Sequence, residues 1–195
     1  MITAIILASG FSRRMGTEKL LLPIGDLPMI ERIAKTLHQS EVTETILIYR
    51  NEEVKMAAEK YVHKTIYNHQ AEYGQSEALK LGIRNADAAS TAYLFAVGDQ
   101  PLLTVEIIDH LIKLHLEHPG KIIRPIFGEK PGNPVLFPAS CREELLQLKG
   151  DEGGRKIMKK NSRQVLEYKF EFREAGEDAD TPESYRELLR KTEPQ

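Results

Sequence analysis

Apolar residues in this chain alternate between two rhythms. Short β-branched runs, ITAIILA (2–8), TILIY (45–49), TIY (65–67), AYLFAV (92–97) and KIIRPI (121–126), read as strands, most of them apolar on both faces. Between them PMIERIAKTLHQ (28–39), EEVKMAAEKYV (52–62), SEALKLGIRNADAA (76–89) and VEIIDHLIKLHLEH (105–118) repeat their apolar positions near a period of 3.6. Strands with two apolar faces, joined by helices, need cover on both sides. The pattern therefore predicts an α/β fold: a three-layer α/β/α sandwich around a mostly parallel sheet. After Pro131 the rhythm changes to NPVLF, a helix at CREELLQLK, a second at GGRKIMKK, two short charged strands within QVLEYKFEF, and a last helix from Pro182. This segment is expected to complete the sheet and supply a rim. In open sheets of this kind ligands sit beyond the carboxyl ends of the strands. That places a site on the loops after Ala8, Tyr67 and Val97, joined by part of the C-terminal segment.

The 195 residues suffice for one domain with one substantial core. With 27 Lys and Arg against 29 Asp and Glu, no basic surplus exists to coat nucleic acid or an anionic membrane, and neither is an expected partner. A single cysteine, Cys141, excludes an internal disulfide framework. It is expected to be packed or partly exposed. No apolar run reaches the ~20 residues of a membrane span, and Ile2 to Ala8 lacks a leader's basic flank. A cytoplasmic protein is expected.

Against that charge balance, the cations in LASGFSRRMGTEKLLLP look like a local site. Ser9, Gly10 and Gly16 permit a tight backbone whose N–H groups can face phosphate, while Arg14 and Lys19 supply charge. Neither G-x-x-x-x-G-K-[ST] nor G-x-G-x-x-G is present. On this loop alone, anion binding and a solvated basic turn both stay open. In AVGDQP, Asp99 directly follows a strand, where a carboxylate can hold Mg²⁺ or simply shape the turn before Pro101. In GEDADTPESY, Asp178 and Asp180 alternate ahead of a helix with Thr181 at its N-cap, Pro182 first and Ser184 third. Basic loop, rim carboxylate and distant second carboxylate together fit metal-assisted nucleotidyl transfer, with Mg²⁺ (or Mn²⁺) as cofactor. No cysteine or histidine is needed as a nucleophile. His38, His63, His69, His110, His115 and His118 show no metal-ligand spacing; His110, His115 and His118 share one helix as surface or flank residues. Met15 is expected to pack beneath the opening loop.

The opening stretch resembles the signature L-A-A-G-x-S-x-R-M-G-x-x-K-L-L-L-P of the MobA-like nucleotidyltransferases. It looks closest to the molybdenum cofactor cytidylyltransferases and related maturation proteins of xanthine dehydrogenase. NHQAEYGQSEALKLGI, VGDQP, GNPVLF, LKGDEGGRKIM and DADTPESY resemble the family's later motifs, in order and over nearly the whole chain. The resemblance implies a glycosyltransferase-A-like (nucleotide-diphospho-sugar transferase) fold, with residues 1–130 as nucleotide-binding core and 131–190 binding the acceptor. It implies nucleotide contacts from Ala8, Ser9, Gly10, Arg14, Lys19, Asn68, Gly74 and Ser76, with Ser76 also capping the helix that follows. Arg14, Lys19 and Asp99 would be catalytic. Asp99, with Asp178 or Asp180, would bind the metal, and Gly132, Asn133, Pro134 and Asp151 would face the acceptor. Implied partners are a nucleoside triphosphate (CTP favoured, GTP or ATP as alternatives), molybdopterin, and a client molybdenum hydroxylase. Three departures stand out. Ser9 replaces the alanine of the cytidylyl branch or the glycine of the guanylyl branch, Asn133 replaces a histidine, and Ser184 an acidic residue. Two other readings compete: another phosphorylated acceptor (a sugar, polyol or phospholactate), selected by Arg124 to Phe137, or a cofactor carrier and insertion partner without transfer.

Overall fold

The computed structural model describes residues 1–12 and 15–192. The chain opens with β1 (Ile2–Ala8), then a small ribbon of β2 (Pro23–Ile24) and β3 (Leu27–Pro28), and α1 (Met29–Gln39). Next come β4 (Glu44–Tyr49), α2 (Glu52–Ala58), β5 (Lys64–Tyr67), α3 (Gln75–Asn85), β6 (Ala92–Val97) and α4 (Val105–Glu117). The remainder holds β7 (Ile122–Phe127), β8 (Lys130–Pro131), β9 (Val135–Pro138), α5 (Arg142–Leu146), α6 (Gly154–Lys160), β10 (Val165–Phe170) and α7 (Pro182–Thr192).

The main sheet runs β10-β7-β9-β6-β1-β4-β5, with β8 paired to β7. All main-path pairings are parallel except those of β9, which lies antiparallel between β6 and β7. The reason is local. At Gly128 the chain turns β8 back onto β7, and a strand reached by so short a return can only run against it.

Strand alternation sorts the core into two layers. Ala4, Ile6, Leu47, Leu94 and Ala96 face α1, α2 and α4, where Ile30, Ile33, Ala34, Leu37, Val54, Ile108 and Leu111 meet them. Ile5, Ile46, Ile48, Tyr93 and Phe95 face the other way, onto Ala78, Leu79 and Ile83 of α3, Leu145 of α5 and Ile157 of α6. A third, smaller cluster matters most for function. Leu188 and Ala179 bury against Ile24 and Met29, and the Tyr185 hydroxyl donates to the Pro23 carbonyl at 2.7 Å. This contact anchors α7 and draws the segment before it back to the end of β6.

Three expectations need correction. QVLEYKFEF forms one strand, Val165–Phe170, because its six residues pair with β7 in unbroken parallel register and no turn residue interrupts them. The helix expected at SEALKLGIRNADAA ends at Asn85, with Ala86 already extended as its C-cap. His115 is a core residue, only 2% exposed, because it continues the stripe of Ile107, Ile108, Leu111 and Ile112 on α4. Burial, and then the chain's N-terminal ammonium, lower its pKa.

Candidate active site

The next strand of the main sheet after β1, β4, lies on one side of it, while β6 lies on the other. A crevice opens at such a reversal, beyond the strand ends. Two cavities occupy it. The first, about 510 Å³, is lined by Ser9, Gly10, Phe11, Lys19, Gly74 and Asp99 among others. The second, about 710 Å³, lies toward β9 and α6 and includes Arg124, Gly132, Asn133, Arg155, Lys156 and Asp178. Leu7, Gln75, Val97, Asp99, Asp151 and Asp180 border both, so the two are halves of one cleft.

Lys19, Asp99 and Asp180 meet where the halves join. Lys19 opens a 3-10 turn, Lys19–Leu21, whose Leu20 is buried in the core and so fixes the lysine's direction. Its Nζ lies 2.5 Å from Asp99 Oδ2 and 2.8 Å from Asp180 Oδ1. Burial alone would lower the ammonium's pKa, but the two carboxylates outweigh it and hold the pKa above the usual lysine value. Asp99 reaches this point as the second residue beyond β6. Asp180 arrives because the Ala179 N–H donates to the Asp99 carbonyl at 3.2 Å, stitching the C-terminal segment to the strand end. Beyond it, α7 starts with reciprocal capping. The Thr181 Oγ1 accepts from the Ser184 N–H at 3.2 Å, and the Ser184 Oγ accepts from the Thr181 N–H at 3.0 Å. Ser184 thus makes the return bond that an acidic side chain makes in a capping box.

Asp178 is directed differently. It lines only the second cavity and accepts from Gln100 Nε2 at 2.6 Å. Although its side chain keeps surface exposure, desolvation and then the nearby Asp99 charge push its pKa up to about 6, against the pull of the Gln100 hydrogen bond. The two alternating aspartates therefore have separate surroundings.

Other residues singled out in the sequence divide in the same way. Ser9, Gly10, Gly74, Gly132, Asn133 and Asp151 line the cleft. Arg14 lies outside the described residues. Ala8, Asn68, Ser76 and Pro134 are buried and do not line it. Asn68 is committed internally: its Nδ2 donates to Ser9 Oγ at 3.0 Å and its Oδ1 accepts from the Gln70 N–H at 3.1 Å. The departure at Ser9 thus ties the loop after β1 to the loop after β5.

Ser76 does not cap α3. Gly74 holds that place with φ 104°, and the Ser76 N–H instead donates to the Gly150 carbonyl at 3.0 Å. The glycine is required twice over, since a Cβ there would lie 2.3 Å from the carbonyl carbon of Gly150. Met15, expected beneath the opening loop, lines the first cavity. Sequence reasoning missed Gln75, which borders both halves from the unassigned position between Gly74 and Ser76. It also missed Gln100, whose role depends on a contact 78 residues away.

A mostly parallel α/β/α sheet with a cleft at its switch point is a scaffold shared by many ligand-binding enzymes, nucleotidyltransferases among them. The chain belongs to one family of that class: residues 4–165 match the MobA-like NTP transferase domain. It is 30% identical over 196 residues to the purine catabolism protein PucB of Bacillus subtilis (strain 168), covering 93% of this chain and 92% of that protein. It is 27% identical over 191 residues to the molybdenum cofactor cytidylyltransferase of Escherichia coli (strain K12), covering 94% and 93%. In three dimensions it superposes on a nucleotidyl transferase from Methanothermobacter thermautotroptrophicus with a TM-score of 0.84 and 22% identity, over 98% of this chain and 97% of that one. The family resemblance read from the motifs and the fold class read from the apolar pattern are both borne out. No helix among the described residues is long and apolar enough to cross a membrane.

Proposed function

We propose that this protein transfers a nucleotide, CMP from CTP by preference, to the terminal phosphate of molybdopterin or the molybdenum cofactor, releasing pyrophosphate. The observation that carries the reading is the convergence of Lys19, Asp99 and Asp180 on one point at the junction of two cavities. The first cavity takes the triphosphate, lined mainly by residues 1–130 with Asp151 and Asp180. The second takes the acceptor, lined by residues 131–190 together with core residues such as Gln75, Asp99 and Arg124 of the same domain.

The donor set fits a hard divalent ion. Asp99 and Asp180 already share one cation, the Lys19 ammonium, and both offer only oxygen. Mg²⁺ (or Mn²⁺) is commonly held by one or two carboxylates with substrate phosphates and waters completing its shell, which this pair of aspartates matches. Asp99 and Asp180 would hold that ion, which would offset charge gathering on the α-phosphate. Asp178, engaged by Gln100, stays beside the acceptor.

An oxygen of the acceptor phosphate attacks the α-phosphorus in line as the bond to pyrophosphate breaks. A phosphate monoester is already anionic near neutral pH, so no side chain must remove a proton from it. Lys19, with Arg14, takes the growing charge on the leaving pyrophosphate. Arg124, Arg155 and Lys156 are the cations offered to the incoming phosphate, in a half that also carries Asp99, Asp151, Glu152, Asp178 and Asp180. Arg124 and Lys156 would exchange their pairings with Glu167 and Glu152 for the phosphate, while Gly132, Asn133 and Asp151 shape the walls. Ser9, Gly10 and Gly74 border the base and ribose. We assign the reaction to the cytoplasm, where an unpaired Cys141 stays reduced.

Pyrophosphate release from CTP, GTP or ATP, with Mg²⁺ and purified molybdopterin, tests this directly. The expected result is release that requires the acceptor and is fastest with CTP. Release only with a sugar, polyol or lactate phosphate would reassign the acceptor. Cofactor binding without release from any nucleotide would leave a carrier or an insertion partner for a xanthine dehydrogenase-type client.

A further inference from the structure

Arg50 lies outside the matched motifs and borders neither half of the cleft, yet it touches both shoulders of the opening loop. It directly follows β4, whose last residue, Tyr49, pairs with Ala8 at the end of β1. This register brings Arg50 beside the chain leaving β1. On the entry side its guanidinium carbon lies 4.6 Å from the ring centroid of Phe11. On the exit side Nη2 lies 3.6 Å from Glu18 Oε2, and the other Glu18 oxygen accepts from Ser12 Oγ at 3.0 Å. Ser12 itself sits at φ 47°, a left-handed conformation that a non-glycine residue holds only when its surroundings impose it.

We propose that Arg50 is a positioning residue: it latches the two ends of the opening loop together, so that Lys19, the residue after Glu18, is aimed before nucleotide arrives. A planar guanidinium can stack on a ring with its face while pairing with a carboxylate at its edge, which a lysine cannot do. Phe11 and Glu18 are seven residues apart in sequence, and tying both to one anchor on the rigid sheet fixes the spacing of the loop's two ends. A loop ordered in advance spends less of its binding energy on ordering when the triphosphate enters. The inference rests on the reading that the first cavity takes a nucleoside triphosphate.

The test compares wild type with Arg50→Ala, Arg50→Lys, Glu18→Gln and the double variant Arg50→Ala/Glu18→Gln. Amide hydrogen exchange at residues 9–12 and 15–19 should quicken about tenfold in Arg50→Ala, with β1 and β4 unchanged. The nucleotide KM should rise about tenfold while the acceptor KM stays within about twofold. Arg50→Lys should fall between, and the double variant should be no worse than Arg50→Ala alone, because both changes open one latch. Unchanged exchange in Arg50→Ala would overturn the latch, and with a raised nucleotide KM it would make Arg50 a direct phosphate contact. Faster exchange throughout the sheet, with both KM values moved, would also overturn it. If wild type binds no nucleotide, the functional reading falls, while the exchange data still decide whether Arg50 orders the loop.

Discussion

Asp99→Asn is expected to slow turnover about a thousandfold while leaving nucleotide affinity within about tenfold of wild type. Asp99 borders both halves of the cleft and pairs with Lys19, as Asp180 does, so the variant leaves only one carboxylate of the proposed metal pair. The amide keeps the side chain's shape and can still accept a hydrogen bond from the ammonium. What it loses is the charge that would hold a divalent ion against the α-phosphate, where negative charge builds in the transition state. Ground-state nucleotide binding draws mainly on the opening loop and suffers less. Asp178→Asn is the informative contrast. It lies off the Lys19 cluster and its carboxyl is bound to Gln100, so turnover should fall by roughly tenfold or less. Pyrophosphate release in single turnovers, set beside nucleotide affinity by calorimetry, separates the two effects. Equal losses in both variants would reject the assignment of Asp99 and Asp180 as the metal pair.

Gly74→Ala should be the most damaging single methyl group in the cleft. Its Cβ would lie 2.3 Å from one backbone atom of Gly150 and 2.7 Å from the Asp151 nitrogen, and neither can rotate aside as a side-chain end would. The backbone at φ 104° adds strain for any L side chain. Together these should cost about 3–5 kcal/mol and lower the thermal midpoint by roughly 10 °C, with activity lost even where the chain stays folded. The reason is that the Gly150–Asp151 turn, once pushed off the start of α3, no longer forms the wall shared by both halves of the cleft. Gly10→Ala is the control. A Cβ there meets nothing within 4 Å, so its midpoint should move by about 1 °C or less. A Gly74→Ala protein as stable as wild type would mean that the turn does not rest on α3.

Much of the fold was legible because it depends on local periodicity. The alternation within ITAIILA and AYLFAV sends Ala4 and Leu94 to one layer and Ile5 and Tyr93 to the other, with no distant information needed. The location of the cleft was legible too, since loops at the carboxyl ends of parallel strands follow from topology. The motifs marked Lys19, Asp99 and the DAD segment, and the fold brings Lys19 onto two carboxylates, one 80 and the other 161 residues away. What escaped the sequence depends on contacts at such separations. Asp178 and Asp180 look equivalent until one backbone bond, Ala179 to Asp99, and one side chain, Gln100, give them different neighbours. The motif marks Asn68 as a ligand contact without revealing its bond to the hydroxyl at Ser9, itself a departure from the family pattern. His115 reads as peripheral because imidazole is polar, yet its place on the apolar stripe of α4 buries it. Ser76 looked like a cap because serine favours that place, whereas the approach of Gly150 leaves room only for Gly74.

The most direct measurement of the central claim is the structure of this protein with a non-hydrolysable CTP analogue and Mn²⁺, the ion located by its anomalous scattering. The account predicts the triphosphate across the opening loop, Lys19 shifted onto its oxygens, and the ion between Asp99 and Asp180. A triphosphate bound elsewhere, with Lys19 still paired to both aspartates, would contradict it.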